Sequence, residues 1–193
     1  MQPTPCEMTL ASYVQQHIDS DFDGDLPFPT REISKAKGEV IIDFGQTAQN
    51  IYFLQRGVVI AEVRSKKENR ILDFFFASSF FASYSALLLN RHSDVRISAF
   101  KDCDLEVVRY AALKEAYQHS LLANKLGRIE TEKLYLRKVT REKELLTQTA
   151  EQRYASLLSS HPEIIREIPI KDISLYLGIQ PESLSRIRKR LIS

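Results

Sequence analysis

Three stretches of the chain differ in the period at which apolar residues recur. Over residues 8 to 22 (MTLASYVQQHIDSDF), Leu10, Tyr13, Val14, His17 and Ile18 fall at helical spacing. They predict a short helix running into the acidic loop DFDGDLPFP. From about 31 to 110 the pattern changes to strands. GEVIIDFG lies between Gly38 and Gly45, and IYFLQRGVVIAEVR is two runs broken at Gln55-Arg56-Gly57. RILDFFFA, DVRISAF and DLEVVRY follow. Short β-branched and aromatic runs with turn residues between them predict a sandwich or barrel. Gly57 stands where a hairpin turn needs positive φ.

From about 111 the period becomes helical. Leu113 to Leu146 holds no Pro and a single Gly, Gly127. Leu122, Ile129 and Leu136 are seven apart, with Leu126 and Lys133 as the other seam of a heptad-like stripe. A long helix with one narrow stripe cannot bury itself. A second copy of the chain is the expected partner, and packing on the strand region is the alternative. Thr149, with Gln152 three residues on, predicts a capping box at the start of a helix over about 149 to 160. Pro162 and Pro169 then divide the chain into short pieces.

The last 24 residues, from Ile170, carry the sharpest pattern. Ile170, Ile173, Leu175, Tyr176 and Leu177 make one short apolar helix, and Gly178 follows where a left-handed residue is needed. Gln180 can cap the next helix and Pro181 suits its first turn. Leu184, Ile187 and Leu191 give that helix a buried face. The order is helix, tight glycine turn, helix, with the second helix the more basic, which is the pattern of a helix-turn-helix. Pro181, Glu182, Ser185, Arg186 and Lys189 lie off the buried stripe. Arg186 can give two hydrogen bonds to guanine, and Glu182 can accept one from cytosine. Ser183, Lys189 and Arg190 suit phosphate contacts, which add affinity without sequence information.

Composition sharpens the picture. The chain has 193 residues with 44% hydrophobic and 27% charged content, within the globular range and against wholesale disorder. Its net charge is only +2, but the charge is unevenly placed. Residues 1 to 30 hold Glu7, Asp19, Asp21, Asp23 and Asp25 and no base; residues 183 to 193 hold Arg186, Arg188, Lys189 and Arg190 and no acid. A basic terminus suggests a polyanion partner, with a solvated helix face as the alternative. Two cysteines, Cys6 and Cys103, build neither a disulfide scaffold nor a four-thiolate metal or iron–sulfur site. His17, His92, His119 and His161 show no metal-ligand spacing. No apolar run reaches membrane-span length and the N-terminus lacks signal-peptide regions, so a cytoplasmic protein with no membrane partner is expected.

At these residues the sequence resembles the cyclic-AMP receptor protein/FNR (Crp/Fnr) family of bacterial transcription regulators. GEVIIDFG and YFLQRGVVIAEV are similar to its glycine-punctuated roll strands, and ISLYLGIQPESLSRIRKRL to its DNA-reading motif. The form LGI-x-PESLSR-x-R resembles the subgroup abundant in Bacteroidetes-type bacteria. The resemblance implies an α+β fold in three parts. Residues 1–112 would be a double-stranded β-helix, a cyclic-nucleotide-binding-like jelly roll. Residues 113–147 would be a dimerisation helix, and 148–193 a helix-turn-helix domain reading double-stranded DNA as a homodimer. It places Glu182 and Arg186 on the family's base-reading Glu and Arg, Pro181 where many members carry another base-reading Arg, and Gln180 and Ser183 on phosphate-contacting positions.

Two departures follow. The family's phosphate-binding cassette has Gly-Glu early, holding the ribose, and Arg-Ser or Arg-Thr later, holding the cyclic phosphate. Here Ala82-Ser83 stand for the first pair and Ser93-Asp94 for the second. Asp94 would repel a phosphate, so no tight cyclic-AMP binding is expected. Arg91 and Arg96 are the candidate substitutes. Second, the sequence stops two residues after Leu191, so the wing strands that follow the recognition helix in longer members are absent or precede it.

The aromatic stretch DFFFASSFFASYSALLL reads as roll core, as an effector pocket including Phe81, Ala82, Ser83 and Tyr84, or as a face against the dimer helix. An unidentified small-molecule effector is expected in that pocket, and no resident cofactor. Cys103 falls in a predicted turn with only Lys101 as a nearby base, a bystander rather than a redox sensor. No phosphate loop and no nucleophile–base arrangement points to an enzyme. A sensor or binding module whose C-terminal helices dock a protein partner is the rival reading.

Overall fold

A computed structural model describes residues 8–66, 68–160 and 162–192 of the chain. Cys6 and His161 lie outside the described residues, as does the side chain of Leu191. The first helix, α1 (Leu10–His17), is capped by Thr9, whose hydroxyl accepts from the Ser12 N–H at 3.1 Å. Eight strands follow: β1 (Thr30–Lys35), β2 (Val40–Ile42), β3 (Asn50–Arg56), β4 (Val58–Val63), β5 (Arg70–Phe76), β6 (Ser79–Phe81), β7 (Val95–Ala99) and β8 (Cys103–Arg109). A short helix, α2 (Tyr84–Leu89), lies between β6 and β7.

The strands form two antiparallel four-stranded sheets, ordered β1-β8-β3-β6 and β2-β7-β4-β5. Alternating apolar residues turn inward from both sheets, and Leu54, Val59, Ile97 and Leu105 are fully buried between them. The α+β class with a β-sandwich in the strand region therefore stands.

Gly57 corrects one detail. Its φ is +101°, as a turn glycine requires, but β3 and β4 lie in different sheets. The turn is a corner between layers rather than a hairpin. The backbone passes so close to β8 that a Cβ at Gly57 would strike the Asp102 carbonyl and approach the Cys103 Sγ to 2.7 Å. Cys103 is likewise not in a turn: it opens β8 and is buried.

The outer face of the first sheet is covered by α1, by α3 (Tyr110–His119) and by the start of α4 (Leu121–Thr147). Glu106 on β8 is buried beneath them, and its carboxylate accepts from the Leu10 N–H at 2.6 Å and from the Gln55 amide at 2.9 Å. A strand residue thus satisfies a free N–H in the first turn of α1. The long helix expected over 113–147 is broken at Ser120, which is extended and caps α4 by accepting from the Ala123 N–H at 3.1 Å.

Among the described residues four helices follow: α5 (Ala150–Ser160), α6 (Pro162–Glu167), α7 (Ile170–Leu177) and α8 (Pro181–Ile192). The capping box at α5 forms reciprocally, Thr149 N–H to Gln152 Oε1 at 2.8 Å and Gln152 N–H to Thr149 Oγ1 at 3.2 Å. These helices share one apolar core with β5: Tyr154, Leu157, Ile173 and Leu184 pack in the same cluster as Ile71 and Phe74. Among the described residues no strand follows β8, so no wing strand precedes the last helix.

Candidate nucleic-acid interface and effector cavity

The last two helices meet through a glycine turn. α7 ends on Gly178, left-handed at φ +72°, with the Gly178 and Ile179 N–H groups returning to the Ser174 carbonyl. A left-handed residue turns the chain sharply without a Cβ penalty. α8 starts on Pro181, whose fixed φ suits a first helical position. Leu184 and Ile187 are buried against α7 and its neighbours. Glu182, Ser185, Arg186 and Lys189 recur at helical spacing on the opposite side and are exposed; Gln180 and Arg190 are exposed, and Pro181 and Ser183 half-buried. Arg190 pairs with Glu151 at 3.3 Å, which ties it to α5.

The seam expected on α4 is divided by the fold. Leu126 is 5% exposed within the chain's own core, and Leu122 and Ile129 pack against the same cluster. Lys133 donates to the Tyr13 hydroxyl at 2.7 Å and to Glu130 at 2.8 Å. Tyr13 itself donates to Glu130 at 2.6 Å. Burial and the bond to Glu130 push the Tyr13 hydroxyl above its ordinary pKa. At Lys133 burial pulls downward, but the bonds to Glu130 and Tyr13 outweigh it and raise the pKa. Leu126 is therefore covered within the chain, Leu122 and Ile129 are half-buried against it, and Lys133 bonds within the chain while remaining exposed. Leu136 of that set faces outward at 63% exposed, as do Leu121, Tyr135 and Leu146.

Between the sandwich and α4 lies a cavity of about 630 Å³. Phe81, Ala82, Ser83 and Tyr84 line it, as the sequence suggested; Arg91, Ser93 and Asp94 do not. Arg91 pairs with Asp94 at 3.2 Å at the surface, and Arg96 with Asp43 at 3.6 Å. The Ser83 and Ser93 hydroxyls, both buried, share a hydrogen bond of 2.7 Å. Ser83 is the residue before α2, yet its hydroxyl does not cap that helix.

Residues 32–120 match the cyclic nucleotide-binding domain family. No curated protein sequence matches the chain. Among solved structures, FixK2 of Bradyrhizobium japonicum is 22% identical, with 84% of each chain covered and a TM-score of 0.69. CLP, the c-di-GMP responsive global regulator of Xanthomonas campestris, is 18% identical over 84% of this chain and 86% of its own, at 0.65. A Crp/Fnr family protein of Eubacterium rectale is 15% identical over 94% and 82%, at 0.66. The chain has the Crp/Fnr fold.

The cavity between the roll and α4 has a charged wall. Asp73 on β5, 8% exposed, pairs with Arg137 at 3.2 Å and Lys138 at 3.1 Å, both from α4. Arg137 also lies over the Phe75 ring at 5.2 Å. One turn on, Arg141 stacks on Tyr176 of α7 at 3.7 Å and donates to its carbonyl. Phe74, next to Asp73 in the chain, meets the same tyrosine ring at 5.3 Å. Sequence reasoning missed the pairing of Asp73 with Arg137 and Lys138, because it joins residues more than sixty positions apart. No helix among the described residues is long and apolar enough to cross a membrane. No group of three or more His, Cys, Asp or Glu among them could hold a metal ion.

Proposed function

We propose that the chain is a dimeric DNA-binding transcription regulator of the Crp/Fnr type, acting in the cytoplasm, and not an enzyme. Its parts would be an effector roll over 1–112, a dimer helix over 113–147 and a helix-turn-helix domain over 148–193. The carrying observation is the α8 stripe of Glu182, Ser185, Arg186 and Lys189, exposed on a helix whose other face is buried and whose start is fixed by a left-handed glycine turn. Arg186 and Glu182 read bases, with Pro181 and Ser185 beside them. Gln180, Ser183, Lys189 and Arg190 meet phosphates. Leu121, Tyr135, Leu136 and Leu146 on the free side of α4 pair two copies. That pairing sets two copies of α8 about 34 Å apart on a near-palindromic site.

The roll does not take cyclic AMP in this reading. Ser83 and Ser93 stand where the family's ribose-binding Glu and phosphate-binding Arg would be, and they bond to each other. Neither Arg91 nor Arg96 lines the cavity. Any effector acts by binding two arrangements of the helices with different affinity. Selection of bound duplexes from a random pool tests the reading: enrichment of an inverted repeat supports it. No enrichment would favour the rival, in which the C-terminal helices dock a protein partner.

A further inference from the structure

The cavity joins an apolar body to a charged end. Its walls include Phe75, Phe80, Phe81, Leu126 and Leu134. Its charged lining is Asp73 and Glu130 against Lys133, Arg137 and Lys138, one cation more than carboxylates. All three cations come from α4. The bases of the cassette region contribute none, since Arg91 and Arg96 are held by Asp94 and Asp43 outside the lining. A bound negative charge would thus be met from the α4 end, with the rest of the molecule among phenyl rings. Hydroxyls of Ser78, Ser79 and Thr131 also line it, but its surface is mainly apolar, which favours a ligand with an apolar body over a sugar-phosphate. A cavity of about 630 Å³ suits a small molecule of drug-like size.

We infer that the cavity binds an amphipathic monoanion, an aromatic or acyl-chain acid, whose acid group competes with Asp73 for Arg137 and Lys138. The inference rests on reading the cavity as the effector pocket and names the ligand class it takes. A carboxylate or sulfonate arriving at these cations meets charge-assisted donors already in place. The competition also reaches the C-terminal helices. Asp73 precedes Phe74, which packs on Tyr176, and Arg141 follows Arg137 and Lys138 by one turn and holds the same tyrosine. Loosening Asp73 from α4 therefore acts on the contact that seats α7 on β5. Ligand and helix position are linked in both directions.

The test uses the full chain and two probes, anilinonaphthalene sulfonate, followed by its fluorescence, and dodecanoate as its competitor. Saturable binding of the sulfonate, displaced by dodecanoate but not by dodecylamine or cyclic AMP, is the expected result. Lys138→Gln and Arg137→Gln weaken the sulfonate about tenfold each, while Asp73→Asn tightens it several-fold by removing the competitor. A role in folding alone would not produce a gain at Asp73→Asn, and circular dichroism of each variant confirms that it is folded. Binding unchanged in all three variants, displacement by dodecylamine as readily as by dodecanoate, or no binding at all overturns the inference. Duplex binding measured on the same samples separates the two proposals. Its loss with intact sulfonate binding defeats the regulator reading alone, and the reverse defeats the ligand class alone.

Discussion

The buried hydroxyls of Ser83 and Ser93 are 2.7 Å apart and hydrogen-bonded to each other. The family resemblance places them where that family presents a carboxylate and a guanidinium. Two short neutral side chains satisfying each other leave nothing to hold a ribose or a cyclic phosphate. Calorimetric titration with cyclic AMP or cyclic GMP should therefore give no heat of binding at micromolar concentration. A micromolar site for either nucleotide contradicts this.

Gly57 has two constraints at once, a positive φ and a backbone approach with no room for a Cβ. Gly57→Ala adds strain in the left-handed region and a clash with the Asp102 carbonyl, and should cost about 3 kcal/mol of folding stability. Chemical denaturation measures it. A change within experimental error would mean that the corner between β3 and β4 relaxes freely.

Leu126 and Tyr135 sit nine residues apart on α4 and do different things. Leu126 is 5% exposed in the chain's own core and Tyr135 is 66% exposed. Leu126→Ala should lower folding stability by about 2–5 kcal/mol. Tyr135→Ala should leave the fold intact and shift sedimentation toward the monomer. The opposite assignment of effects would return the dimer seam to the Leu122–Leu126–Ile129 side.

Cys103 is buried, and burial pushes its thiol up to about 11. The unfolded thiol loses its proton at lower pH, so between the two pKa values the unfolded state binds fewer protons than the folded one and stability falls as pH rises. The stabilising contribution of the neutral thiol is complete below the unfolded pKa and is lost as pH rises through about 11. Alkylation of Cys103 by iodoacetamide at pH 8, read by peptide mass so that Cys6 is scored separately, should be slow in the native chain and fast in denaturant, since the thiolate is the nucleophile. Rapid native alkylation would show that the strand opening at Cys103 is not closed.

Much of the fold is legible in the sequence where the signal is local. The strand runs, the capping box of Thr149 and Gln152, and the stop at Gly178 each depend on neighbours within a few residues. The break at Ser120 was legible too, as a serine ahead of a helical run, but the apolar stripe across it hid the cap. The heptad misled for a related reason. It records where apolar residues fall on α4 but not whether the first sheet or a second chain covers them, and Leu126 is covered by the first sheet. Gly57 gave its φ but not its sheet. The cavity's charged end was invisible, because Asp73 meets Arg137 and Lys138 only once β5 and α4 are packed together.

Arg186, exposed on α8, is the side chain on which base reading turns. Fluorescence anisotropy on a selected duplex, at several salt concentrations, should show affinity falling steeply with salt as phosphates are neutralised. Arg186→Ala should cost about 1–3 kcal/mol and relax preference at one position in each half-site. Binding that ignores salt, or an Arg186→Ala chain that binds with unchanged affinity and preference, would contradict a DNA-reading α8.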